Sequence, residues 1–152
     1  MGLQIGDACP IFSLDDQNGN RVNISDYIGI QNLVVFFYPK DETPGCTKEV
    51  CAFRDQHERF KQYNCEVIGI SSDSIQSHVN FSSKYRLSFS LLSDSQQKVR
   101  KMFGVPTKLF GLIPGRVTYI IDKKGIIRGI YNSLTDPIGH IEEALKLVVK
   151  LD

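Results

Sequence analysis

The chain has no excess of either charge: 18 lysines and arginines stand against 17 acids in 152 residues, a formal net charge of +1. No strong field is available to hold nucleic acid or an anionic membrane, so neither is expected as a partner. Long apolar runs are missing too. The longest, Leu33 to Tyr38, falls far short of the roughly 18 residues that suggest a spanning helix, and a soluble protein is expected. The opening MGLQIGDACP shows no basic region followed by an apolar core, and Gly6 stands where a myristoylation motif wants Ser or Thr. Without an export signal, the sequons at Asn23 and Asn80 read as chance occurrences. Repeats, low-complexity tracts and linker-like shifts are absent, and 152 residues with 41% hydrophobic content suit one domain, 1–152, with its own core. Four cysteines, Cys9, Cys46, Cys51 and Cys65, would suit a secreted disulfide framework, but a chain this well supplied with apolar residues needs no staples. A reducing, cytoplasmic setting is expected, where a cysteine pair is more often chemical than structural.

What is present is an alternation of apolar runs and helical patterns. Phe12 to Leu14 and Arg21 to Ile24 flank a Gly-containing loop and predict an N-terminal hairpin. NLVVFFY is apolar on both faces and predicts a buried strand, and Val50, Phe53, His57 and Phe60 recur at helical spacing from Cys46 to about Tyr63. CEVIGISS predicts a second buried strand, with Asp73 as the N-cap of a helix carrying Ile75, Val79 and Phe81. FSLLSD follows as a short strand, then a helix through Val99 and Phe103 capped by Asp94 or Ser95 and ended by Gly104. RVTYIID and GIIRGIY predict an antiparallel hairpin across Lys123-Lys124-Gly125. Asp136-Pro137 opens a last helix with Ile141, Leu145 and Val148 on one face. This order predicts an α/β fold, a central mixed sheet flanked by helices, in which ligands gather at the carboxyl ends of the parallel strands.

One such end leads into YPKDETPGCTKEVC, Tyr38 to Cys51. A sulfur at a helix start sees unpaired backbone N–H groups and the positive end of the macrodipole, both of which stabilise thiolate over thiol. Cys46 is so placed, and a thiolate is the form that attacks an electrophile. Pro39 and Pro44 stiffen the loop, and Thr43 offers a hydroxyl that both donates and accepts. Five residues along a helix separate Cα atoms by roughly 9 Å, beyond the ~7 Å limit for a disulfide, so Cys46 and Cys51 bond only if the helix unwinds. A transient disulfide is therefore favoured over a structural one, formed when Cys51 condenses with a Cys46 sulfenic acid. Cys65 and Cys9 read as inert core residues. Cys46, Cys51 and His57 lie in one segment but have poor tetrahedral spacing, so no zinc is expected. His57, His78 and His140 fall on helical patterns and are expected to be packed or solvent-facing. In FGLIPGRVTYIID, Arg116 stands at the start of a buried strand after a Pro-Gly turn, within reach of a neighbouring site.

The chain resembles the peroxiredoxins, in particular the Q-type or bacterioferritin-comigratory-protein branch. The resemblance covers essentially the whole sequence, from GDACPIFSLDDQNG through FFYPKDETPGCTKEVCAFRD and VIGISSDS to PGRVTYIIDKKG. It implies a thioredoxin-like fold and reduction of hydrogen peroxide and alkyl hydroperoxides with no cofactor. It further implies that Cys46 is the peroxidatic thiol, that Thr43 orients the peroxide, that Pro39 shields the pocket, and that Arg116 holds the thiolate and the leaving oxygen. Glu49 resembles the acidic partner of that arginine, and Cys51 the resolving cysteine of many members. Thioredoxin is the implied reductant, with glutaredoxin or another thiol donor as the alternative, and a monomer is expected. Plastid members carry transit peptides, and their processed chain would look like this one. Two rival readings stand beside it: a thioredoxin-like disulfide oxidoreductase, against which stands the missing Cys-x-x-Cys, and a non-catalytic binding or chaperone module, which an exposed apolar patch would mark.

Overall fold

The computed structural model describes residues 2–108 and 113–151. Part of the FGLIPGRVTYIID segment, residues 110–112, lies outside them. The strands are β1 (Ser13–Asp16), β2 (Arg21–Asn23), β3 (Asn32–Phe37), β4 (Cys65–Ser71), β5 (Ser90–Ser93), β6 (Thr107–Lys108), β7 (Ile113–Pro114), β8 (Val117–Ile121) and β9 (Ile127–Asn132). The helices are α1 (Pro44–Gln62), α2 (Ile75–Tyr85), α3 (Lys98–Phe103) and α4 (Pro137–Val148). Seven strands form one sheet in the order β2-β1-β5-β4-β3-β8-β9, and β6 pairs with β7 apart from it. The pairs β3–β4 and β4–β5 are parallel, while β8 on β3, β9 on β8 and β1 on β5 are antiparallel. This is the mixed sheet that the order of elements predicted, and it agrees with the thioredoxin-like fold that the resemblance implies.

β3 is buried along its whole length, which explains the absence of polar alternation in NLVVFF. Its side chains alternate between two cores. Leu33, Val35 and Phe37 join Ile68, Ile70, Phe103 and Tyr119 on one face. Val34, Phe36 and Tyr38 join Val50, Phe53, Phe60 and Phe81 on the other, with Phe36 stacked on Phe53 at 4.4 Å. The apolar face of α1 therefore seals one side of the sheet, and α4 packs beside it through Ile141, Ala144 and Val148.

Several boundaries differ from expectation. α1 starts at Pro44 with Thr43 as N-cap, so Cys46 is the third helical residue, still inside the turn whose N–H groups lack helical partners. The cap of α2 is Ser74, whose hydroxyl accepts from Ser77 N at 3.1 Å. Asp73 was expected there, but its carboxylate is taken by Asp41 N and the Ser71 hydroxyl. At α3 the N-cap position belongs to Gln97, in a left-handed conformation with no side-chain cap. Asp94, not Ser95, serves that helix from a distance by accepting from Val99 N and Arg100 N. Gly104, at φ 67°, and the Asp136 cap before Pro137 fall where the sequence placed them.

Candidate active site

The loop from β3 to α1 is pinned from beneath. The buried Asp41 carboxylate accepts from the Tyr38 hydroxyl at 2.6 Å, from Ser77 at 2.8 Å and from His78 Nδ1 at 2.7 Å. Its own N–H donates to Asp73. Asp41, Asp73 and His78 are close enough to resemble a metal cluster, yet Asp41 spends both its oxygens on holding the loop, and no cysteine takes part. With the loop fixed, the Thr43 hydroxyl donates to Lys40 O at 2.8 Å. That bond uses the hydrogen and leaves the oxygen lone pairs as acceptors. Pro39 is half-buried, and Glu42 turns the chain at φ 65°.

Cys46 is fully buried. Against it lies Arg116, only 4% exposed, which follows Gly115 and leads into β8. Arg116 Nη1 donates to Glu49 Oε1 at 2.6 Å and Nε donates to Leu134 O at 3.2 Å. Burial works to lower the pKa of this guanidinium, but the Glu49 carboxylate and the Cys46 sulfur beside it outweigh burial, so the shift is upward. Glu49 responds differently: burial pushes its carboxyl up to about 8 even though Arg116 pulls the other way. Gly45 makes the approach feasible, because a Cβ there would lie 2.9 Å from Arg116 Nη2.

A second buried guanidinium, Arg100, is one to which the sequence does not point. It donates to Gly115 O at 3.1 Å and Tyr38 O at 3.2 Å, tying the Arg116 turn to the cysteine loop. Burial lowers its pKa, and Asp94, Tyr119 and Cys46 oppose that. Nothing local in VRKMF marks it, since an arginine between helical apolar positions usually points to solvent. The three histidines are all buried with both ring nitrogens in hydrogen bonds: His57 with Ser88 and Glu66, His78 with Asp41 and Leu92 O, His140 with Thr118 and Ser133 O.

All four cysteines carry free thiols. Cys51 is half-buried on α1, five residues beyond Cys46 on an unbroken helix, and burial raises its pKa, with Arg54 opposing and Asp55 assisting. Cys9 is pushed up to about 12 by burial, and Cys65 is pushed up further for the same reason. The structure thus brings Cys46, Arg116, Glu49 and Thr43 to one end of β3 and α1 and keeps Cys9 and Cys65 in the core. A cavity of about 530 Å³ lies elsewhere, between the β1–β2 hairpin and α3, and Cys46 is not among its lining residues.

The sequence profile of the AhpC/TSA family matches residues 5–130. Peroxiredoxin Q of Populus jackii, a chloroplastic protein, is 53% identical over 146 residues, 96% of this chain and 68% of the relative. The crystal structure of peroxidoxin BcpB from Mycobacterium tuberculosis superposes with a TM-score of 0.91 at 33% identity, covering 99% of both chains. The bacterioferritin comigratory protein of Xanthomonas campestris, studied for alkyl peroxide reduction, superposes with a TM-score of 0.85 at 27% identity, over 95% of this chain and 98% of that one.

Proposed function

Since the chain belongs to the AhpC/TSA family and its peroxiredoxin Q branch, a group of thiol-dependent peroxidases, we propose that Cys46 is the thiol that meets the peroxide and Cys51 the thiol that resolves it. The observation that carries this reading is the buried Cys46 in the first turn of α1 with the Arg116 guanidinium against it. In the cycle, the Cys46 thiolate attacks one peroxide oxygen and the O–O bond breaks. The departing hydroxide or alkoxide takes up a proton, leaving a Cys46 sulfenic acid. The Cys51 sulfur then displaces water from that acid to give a disulfide, and a dithiol reductant returns both sulfurs to thiols in two exchange steps.

The remaining residues fit roles around those steps. Thr43 accepts the peroxide hydroxyl hydrogen, because its own hydrogen is committed to Lys40 O. Arg116 meets the thiolate and the charge developing on the leaving oxygen. Glu49 holds Arg116 in place, and Pro39 screens the pocket from water. We assign hydrogen peroxide and alkyl hydroperoxides as substrates, thioredoxin as the reductant, a single domain over 1–152 and a monomeric state. The setting is a reducing one, cytoplasmic or, as for the plant relatives, plastid. The test is peroxide consumption coupled to reduced thioredoxin, by the wild type, Cys46→Ser and Cys51→Ser. Loss in Cys46→Ser, together with retention of a single fast peroxide reaction without thioredoxin turnover in Cys51→Ser, supports the reading. Near wild-type turnover in Cys46→Ser sinks it.

A further inference from the structure

The two oxygens of the buried Glu49 carboxyl are treated unequally. Oε1 accepts from Arg116, whereas Oε2 has no hydrogen-bond partner among the described residues. A buried polar atom left unpaired is costly and asks for an explanation. His140 Nδ1, from α4, lies 3.7 Å from this oxygen. The contacts of that ring fix its tautomer. Nε2 faces the Ser133 carbonyl at 2.7 Å, which only accepts, so Nε2 carries the hydrogen. Nδ1 therefore presents a lone pair, into which the Thr118 hydroxyl donates at 2.7 Å. Burial pushes His140 down to about 4, so the ring is neutral at neutral pH.

If Glu49 is ionised, Oε2 and Nδ1 face each other as two lone pairs with no hydrogen between them. Protonation of Glu49 puts a hydrogen on the orphaned oxygen, and a small carboxyl movement brings it to Nδ1 in competition with Thr118. The charge balance agrees, since Arg116 is one cation beside two potential anions, Cys46 and Glu49. The other charged or titratable groups nearby are committed. Asp136 caps α4 and accepts from Tyr131, whose ring packs edge-on to His140. Arg100 is spent on two carbonyls.

We propose that His140 is a positioning residue of the Cys46 site: its Nδ1 accepts the hydrogen of a protonated Glu49, which keeps that carboxyl neutral and leaves the charge of Arg116 to the Cys46 thiolate. The inference rests on Cys46 being the reacting thiol. It is tested by thiolate absorbance near about 240 nm, titrated from about pH 5 to about pH 9 in the reduced Cys51→Ser background, with the Cys46→Ser signal subtracted. His140→Gln places its amide nitrogen where Nε2 donates to Ser133, with its carbonyl turned away, and so leaves no acceptor at the Nδ1 position facing Glu49. It moves the Cys46 midpoint up by about half a unit or more, a threefold or greater fall in the thiolate-to-thiol ratio at fixed pH. Thr118→Val, nearly isosteric, frees Nδ1 for Glu49 and moves the midpoint down. Glu49→Gln carries the hydrogen permanently, so His140→Gln added to it causes no further shift. An unchanged midpoint in His140→Gln, the same shift in the Glu49→Gln background, or shifts of one sign in both His140→Gln and Thr118→Val would overturn the proposal. Should His140→Gln not fold, Thr118→Val with and without Glu49→Gln decides alone: a downward shift confined to the Glu49 background supports it, and anything else overturns it. Because no peroxide enters this titration, absent peroxide consumption would refute the assigned function without bearing on the shift.

Discussion

Gly45 and Arg116 compete for one volume. The 2.9 Å from a Cβ at position 45 to Nη2 is shorter than side chains tolerate, so Gly45→Ala must push the guanidinium off Cys46 while leaving a helical residue that α1 readily accepts. Arg116→Ala removes the charge altogether. Both variants are expected to fold and to react more slowly with hydrogen peroxide, Arg116→Ala by about 10²-fold or more, the usual loss when a charge-stabilising donor is removed. Stopped-flow measurement of the peroxide step in single-turnover conditions checks this, and an unchanged second-order rate in Arg116→Ala would make Arg116 a structural residue. At this scale the sequence was legible where chemistry is local. A thiol, a threonine and a proline at fixed offsets behind a buried strand read directly as a loop with a helix start. Arg116 could be placed by its Pro-Gly turn, and the approach to Cys46 needed the fold. Arg100 and His140 could not be read, because what recruits them is a carbonyl or a carboxyl brought up by another element.

At the scale of elements, β3 and β4 are legible as unbroken apolar runs because they lie in mid-sheet with helices on both faces, and α4 is legible from its Asp-Pro start. The cap of α2 falls one residue beyond the expected Asp73, and of the two residues expected at α3 it is Asp94 that serves, from a distance. Asp73-Ser74 and Asp94-Ser95 each offer two chemically adequate caps, and the choice is made by distant partners, Asp41 N for one and the path of Gln97 for the other. α1 carries the most consequential expectation. It runs unbroken from Pro44 to Gln62 with both thiols free, and residues five apart on a helix lie roughly 9 Å apart between Cα atoms. Disulfide formation therefore requires one or two turns to melt. Amide exchange across Gly45 to Phe53 is expected to accelerate on oxidation of the wild type and to stay slow in Cys51→Ser treated the same way. Protection retained in an oxidised wild type, or a disulfide from Cys46 to Cys9 or Cys65, would name another partner.

For the molecule as a whole, the buried Glu49 and His140 make stability depend on pH in opposite senses. Glu49 is raised in the fold, from 4.5 to about 8. Between those values the folded chain holds a proton that the unfolded chain has released, so its contribution is full below about pH 4.5 and is lost as pH rises through 8. His140 is lowered, from 6.5 to about 4. Its contribution is present above about pH 6.5 and is lost as pH falls through 4, where the buried ring must charge. The fold is squeezed from both sides by two groups 3.7 Å apart. Glu49→Gln removes the alkaline half alone. Urea unfolding of the reduced protein should show the wild type losing stability relative to Glu49→Gln between about pH 5 and about pH 8, on the order of a few kcal/mol. Their difference should flatten beyond about pH 9, where Glu49 is ionised in both states. Parallel curves over that interval would mean that Glu49 enters the fold already ionised beside Arg116, and the neutral carboxyl assigned to it would be wrong.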